Sequence, residues 1–248
     1  MRNAIIFFLF LSGCTASTMA QSFPMPVENN LNISVGVENR KENFRWSIAG
    51  NTQGKDPNIL SELIFDPIYA DGFYLDASYH FYKKLSLKLN YRKLDTYAGK
   101  ATDFDYTGDN RTDPSVELFL QSDKGRMRDF GGSIYYDILS NAALTVKAGA
   151  GYNNTKELFY LLDDEDPKLQ TTYNATWKGP GLHLKGKWIS PVNITLGGGI
   201  DYYFLQYDAK ANWNLKEDFK HPVSFIHTAN GHGMNYSINT GYQLSKHF

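Results

Sequence analysis

The residues best suited to chemistry sit in "ATDFDYTGDNRTD", residues 101–113. Asp103 and Asp105 are two apart, so extended backbone puts both carboxylates on one face. Such a pair can share a proton or orient a water for attack on a carbonyl. It can equally bind a cation, or belong to a solvated polar loop with no chemistry. The first reading needs a base from elsewhere: "EDFKH" offers His221 beside Asp218, and "FIHTAN" offers His227. The spacing of His221, His227 and His232 fits no standard ligand pattern, so no metal or cofactor site is expected.

The elements that must position these groups are written in period two. Ile33, Val35 and Val37 alternate with Ser34, Gly36 and Glu38. Further runs carry Phe73 to Phe81, Leu85 to Tyr91, Phe130 to Ile138, Leu144 to Tyr152, Leu182 to Trp188 and Ile194 to Phe204. The last begins at Met234, alternates Tyr236, Ile238, Thr240, Tyr242 and Leu244 with small polar residues, and ends on Phe248. Alternation of this kind describes strands with one apolar and one wet face. Short breaks are predicted at 82–84, 140–142 and 190–192, and long polar loops at the other strand ends. Before "GPG" at 179–181 the apolar phase is odd (Tyr173, Ala175, Trp177) and after it even, which predicts a bulge there.

The chain opens "MRNAIIFFLFLSGCTASTMAQ", a basic head, a short apolar run and small residues, the layout of a secretory signal peptide. Cleavage after Ala20 leaves residues 21–248 as one domain. "LSGC" offers a competing lipidation at Cys14, the single cysteine. With 17 Tyr and 16 Phe, negative mean hydropathy and no apolar helix-length run, an exported chain of alternating segments reads as an all-β, closed antiparallel transmembrane barrel. Eight strands are expected, closed by pairing 33–37 with 236–244. Short turns are then periplasmic, long loops extracellular, and Phe248 a handle for barrel-insertion machinery. The expected inward set mixes signs, Glu38, Asp76, Lys88, Arg92, Asp137, Lys147, His183, Lys185 and Asp201 among them, as a self-neutralising lumen requires. A net charge of −1 gives no basic surface for nucleic acid.

These segments resemble the omptins, outer-membrane endoproteases of Gram-negative bacteria. "LNISVGVENRKENFRWSI" is similar to the omptin first hairpin, "ILSELIF" to the opening of its second strand, and "ITLGGGIDYY" to its seventh strand. "DFDYTGD" resembles the omptin acidic loop. The chain is also similar to a looser set of omptin-like outer-membrane proteins of Protochlamydia. The resemblance implies a protease site in which Asp103 and Asp105 face an Asp-x-His dyad across the barrel mouth. Counted from Leu196, that dyad falls on Asn212 and Asn214, and asparagine cannot act as a general base. Omptins also close with ten strands. The expectation is therefore a non-catalytic structural or surface-binding barrel, in contact with outer-membrane lipid and lipopolysaccharide and holding an extracellular ligand. The alternative is an endoprotease using Asp103, Asp105 and His221. "FIHTAN" also resembles the His-x-Ser-Asn motif of lipid A deacylases, with Ala229 at the serine position and only Thr228 to replace it.

Overall fold

The computed structural model describes residues 30–242. Ala20 and Cys14, with the expected signal peptide, lie outside that range, as does Phe248. Nine antiparallel strands follow one another: β1 Leu31–Ile48, β2 Ser61–Tyr82, β3 Leu85–Gly108, β4 Thr112–Gln121, β5 Gly125–Ser140, β6 Leu144–Leu162, β7 Gln170–Ile189, β8 Ile194–Asn212 and β9 Phe225–Tyr242. Nine strands thus stand where eight were expected; β4 and β5 both pair with β3 and share one place, so the wall has eight places. The short breaks fall where period two stops, at 83–84, 141–143 and 190–193. The similarity of residues 31–48 to a hairpin is corrected: they form one continuous strand, β1.

Apart from the short β4, each strand is longer than a membrane needs. β3 has 24 residues, whereas about 9–11 cross a bilayer. The surplus explains a change of polarity half-way up. In the lower storey the outward positions are apolar and exposed, as at Val35, Leu75, Ile134, Leu184 and Ile238. Its lumen is ionic. Arg40 bridges Glu38 at 2.8 Å and Asp129 at 2.6 Å, Arg92 reaches Glu38 at 3.1 Å, and Lys147 meets Asp137 at 3.1 Å. Pairing of this kind is what permits charge inside a narrow barrel.

In the upper storey the two faces exchange character. Outward positions become Asn39, Lys41, Arg45, Arg126, Arg128 and Lys156, while the inside fills with Phe44, Trp46, Phe65, Phe159, Tyr173 and Tyr207. Their rings pack at 4.9 Å (Phe65–Phe159), 5.7 Å (Phe44–Phe65) and 5.7 Å (Phe44–Tyr173), an aromatic core like that of a water-soluble domain. This inversion corrects the bulge expected at 179–181. Lys178 pairs with Gln206 and Gly181 with Tyr203, so β7 keeps its register past "GPG". Odd residues face inward throughout; only their polarity changes, from Tyr173 and Ala175 above to His183 and Lys185 below.

A true register shift does occur in β3. Ala70 pairs with Thr96 but Tyr69 with Ala98, so Tyr97 is an extra residue. Below it Ser86, Leu94 and Thr96 are buried in the even phase; above it Ala101 and Asp103 are buried in the odd phase. The expected closing ladder between 33–37 and 236–244 is not formed among the described residues: β1 and β9 are the two edges of the sheet. The edges meet instead through side chains at the upper end, where the Trp46 ring lies 4.6 Å from that of His227 and 5.9 Å from that of Phe225.

Candidate functional site at the barrel mouth

Asp103 and Asp105 lie near the upper end of β3, on strand and not on the loop expected from sequence. The Tyr97 bulge turns Asp103 inward, where it is 7% exposed between Leu63 of β2 and Leu118 of β4. A clasp steadies this wall. Asn58 donates its backbone N–H to Asp109 at 2.8 Å and its amide to Asn110 at 2.9 Å, and accepts from the Asn110 N–H at 2.7 Å. On the outer face Arg111 forks onto both oxygens of Glu62, at 2.8 and 3.0 Å, and the Tyr106 hydroxyl donates to Glu62 at 3.0 Å. The chain turns through positive φ at Asn110, Arg111 and Asp113 to make these contacts.

The facing wall carries the other predicted groups. β3 and β8 stand four places apart in the eight-place wall, hence on opposite sides of the mouth. Beyond β8 the chain folds back on itself: His221 Nε2 lies 3.2 Å from the Lys216 carbonyl, and its Nδ1 3.0 Å from the Asn212 amide. Both partners are oxygens that only accept, so each ring nitrogen is turned to an atom that calls for an N–H. Asn214 has a different task. Its amide accepts from the Gln170 N–H at 2.9 Å and donates to the Lys168 carbonyl at 2.7 Å, tying the β8 exit to the 163–169 loop. The charge of Lys216 is close enough to favour the ionised form of Asp103.

His227 is not part of this constellation. It points into the aromatic core, 7% exposed, with Nδ1 3.2 Å from the Tyr173 hydroxyl, and burial pushes its basicity down to about 4. Thr228 is exposed on the opposite face of β9, so the two cannot act as a nucleophile and its base. His232 also faces outward, its ring 5.6 Å from both Tyr202 and Phe204. The three histidines that sequence placed near one another thus occupy a loop, a core and an outer wall.

Burial first, and the neighbouring Asp105 second, push the Asp103 carboxyl up to about 7, against the opposing pull of Lys216. The native state then holds a proton that the unfolded chain releases at the ordinary carboxylate pKa. Stability should fall as pH rises from about 4 to 7 and level off above. Asp103→Asn removes that loss. The variant should match wild type in thermal unfolding at pH 4 and exceed it by roughly 1–3 kcal/mol at pH 8. Equal stability differences at the two pH values would show that the carboxyl is not perturbed.

A protein-family model described as Pom, Protochlamydia outer membrane protein, matches residues 34–248. The chain belongs to the Protochlamydia outer membrane protein family. It is an integral protein of the outer membrane, with an omptin-like barrel fold. The crystal structure of outer membrane protease OmpT from Escherichia coli superposes with a TM-score of 0.66 at 14% identity, covering 90% of this chain and 80% of that one. At that identity the likeness shows the fold alone. No curated protein matches the chain in sequence. Within this family member, spacing found the acidic pair. It missed the Asn212–His221 contact, which is made by a loop folding back, and the Asn58–Asn110 clasp between two loops.

Proposed function

We propose that the protein is a non-catalytic, surface-binding outer-membrane barrel whose acidic mouth takes a cationic ligand. The engagement of His221 carries this reading: the Lys216 carbonyl and the Asn212 amide oxygen face both ring nitrogens, so neither nitrogen is free to act as a base for Asp103 and Asp105. Neighbouring loops add Asp163, Asp164, Glu165 and Asp166 on one side and Glu217 and Asp218 on the other. Carboxylates outnumber the lysines of the same loops, Lys168, Lys216 and Lys220, and a cleft with a net sign of charge focuses its field and draws the opposite sign. Lys41, Arg45, Arg128 and Lys156 on the outer wall stand just above the apolar band and suit the phosphates of lipopolysaccharide. Phe248 is the proposed handle for the insertion machinery.

The test is a titration of refolded protein, with lipopolysaccharide present, against labelled lysine-rich and glutamate-rich peptides. The lysine-rich peptide should bind and remain intact, and Asp105→Asn should weaken it roughly tenfold, about 1.4 kcal/mol. One observation favours a second reading, an omptin-like endoprotease using Asp103, Asp105 and His221: a carboxyl at about 7 is suited to acid–base work near neutral pH. Cleavage by wild type, lost in both Asp103→Asn and His221→Ala, would establish the protease and dismiss the passive mouth.

A further inference from the structure

Far below the mouth, three lumen-facing side chains form a hydrogen-bonded chain across the lower storey. Ser133 Oγ on β5 lies 3.1 Å from His183 Nε2 on β7, and His183 Nδ1 lies 2.9 Å from Asp201 Oδ1 on β8. β6 runs between β5 and β7, and it presents glycine where a side chain would intervene. Ser133 pairs with Gly151, and Gly149 pairs with His183. A Cβ on Gly151 would sit 2.2 Å from Ser133 Oγ, and one on Gly149 would sit 2.6 Å from the Tyr135 ring. The two glycines clear the space through which serine reaches histidine.

The proton positions follow from the partners. Lys185 Nζ holds the second oxygen of Asp201 at 2.7 Å, and a carboxylate so paired only accepts. Nδ1 of His183 therefore carries the hydrogen, and Nε2 offers its lone pair to the Ser133 hydroxyl. This is the arrangement that makes a serine oxygen nucleophilic. The Tyr135 ring lies 5.6 Å from that of His183, so its phenol lines the same chamber and can donate to an oxyanion formed there. The chamber is wet: the side chains of Lys88 and Lys185 are 40% and 30% exposed, and Ser133 is only half-buried. Asn235 and Ser237, the lumen-facing residues of edge strand β9, are exposed at the same level.

We propose that Ser133 and His183, with Asp201 as the positioning residue, form an esterase site in the lower lumen. Its substrates are carboxylic esters with an acyl chain slim enough for an eight-place barrel. Ser133 Oγ bonds to the ester carbonyl carbon, its proton passes to His183 Nε2, and the carbonyl electron pair moves to the oxygen facing Tyr135. Collapse breaks the ester C–O bond, and the leaving alkoxide takes the proton from Nε2. Water then repeats the sequence on the acyl-serine, giving acid and alcohol.

The test is a fluorophosphonate probe on the folded barrel in detergent, read by intact mass and peptide mapping, beside hydrolysis of p-nitrophenyl butyrate. Wild type should gain one adduct, on Ser133, and turn over the ester. His183→Gln should slow both by roughly a hundredfold or more, with the barrel's heat-modifiable band unchanged. If that variant does not fold, the pH profile of wild-type labelling decides, since its rate must climb as the imidazole loses its proton. No adduct on Ser133 of folded wild type would overturn the site, as would a labelling rate indifferent to His183 or to pH. The mouth plays no part in this assay, so its outcome is independent of the ligand proposed there.

Discussion

Phe65→Ala should destabilise the protein by about 3–5 kcal/mol, the cost of emptying an aromatic site in a packed core. Phe65 is fully buried inside the upper storey, its ring 4.9 Å from Phe159, 5.7 Å from Phe44 and 6.1 Å from Tyr173. The lining comes from strands on different sides of the wall, so the cavity cannot collapse by moving one of them. Phe119 provides the control. It has the same side chain in the same storey, but it faces outward on β4 and is 73% exposed. Phe119→Ala should stay within about 0.5 kcal/mol of wild type. Chemical unfolding in detergent measures both. Equal losses would mean that the upper interior is not a core.

The second large effect lies in the membrane. Leu87 alternates with Ser86 and Lys88 on β3 and faces lipid between Tyr79 and Ile134. Leu87→Arg puts a charge on the lipid side near the middle of the apolar band and should cost roughly 2–4 kcal/mol. One residue on, Lys88→Gln removes a charge from the lumen, where the Lys88 side chain is 40% exposed and 3.4 Å from Asp76. Arg92 remains 3.5 Å from that carboxylate, so the loss should be under about 1 kcal/mol. Folding into lipid vesicles, followed by the shift of the heat-modifiable band, separates the two. Similar penalties at both positions would mean that the inward and outward faces are wrongly assigned.

The lower storey was legible because one rule governs it: apolar side chains face lipid and polar ones face the lumen. Period two at Ile33, Leu75, Leu87, Ile134 and Leu184 therefore gave the strands, their faces and the short turns together. The same rule misleads above the bilayer, where apolar residues face inward. Tyr173, Ala175 and Trp177 look out of phase with Leu182 and Leu184, and in sequence such an inversion has the same signature as a bulge. The bulge at Tyr97, one of several register shifts in the wall, leaves no such mark, because the outward residues before it, Lys93 and Asp95, are polar. Hence the pairing of Asp103 and Asp105 is legible in the sequence while their place on a strand is not. Ser133, His183 and Asp201 were hidden for another reason. They come from three strands and meet only through pairing register, and in sequence each reads as one more lumenal polar residue.

The Tyr97 bulge bears on how such a chain can change in length over time. In a strand whose two sides have opposite chemistries, removing one residue rotates everything beyond it by half a turn. Loss of Tyr97 alone would send Asp103 to the outer surface and bring Phe104 inside. Removing two residues would shorten the wall and leave both sides as they were. Above and below the bulge, insertions and deletions are therefore tolerable in even steps. Odd steps are confined to the connecting segments, such as 49–60 and 213–224, where no alternation has to be kept. A family of these barrels should vary in height by pairs of residues.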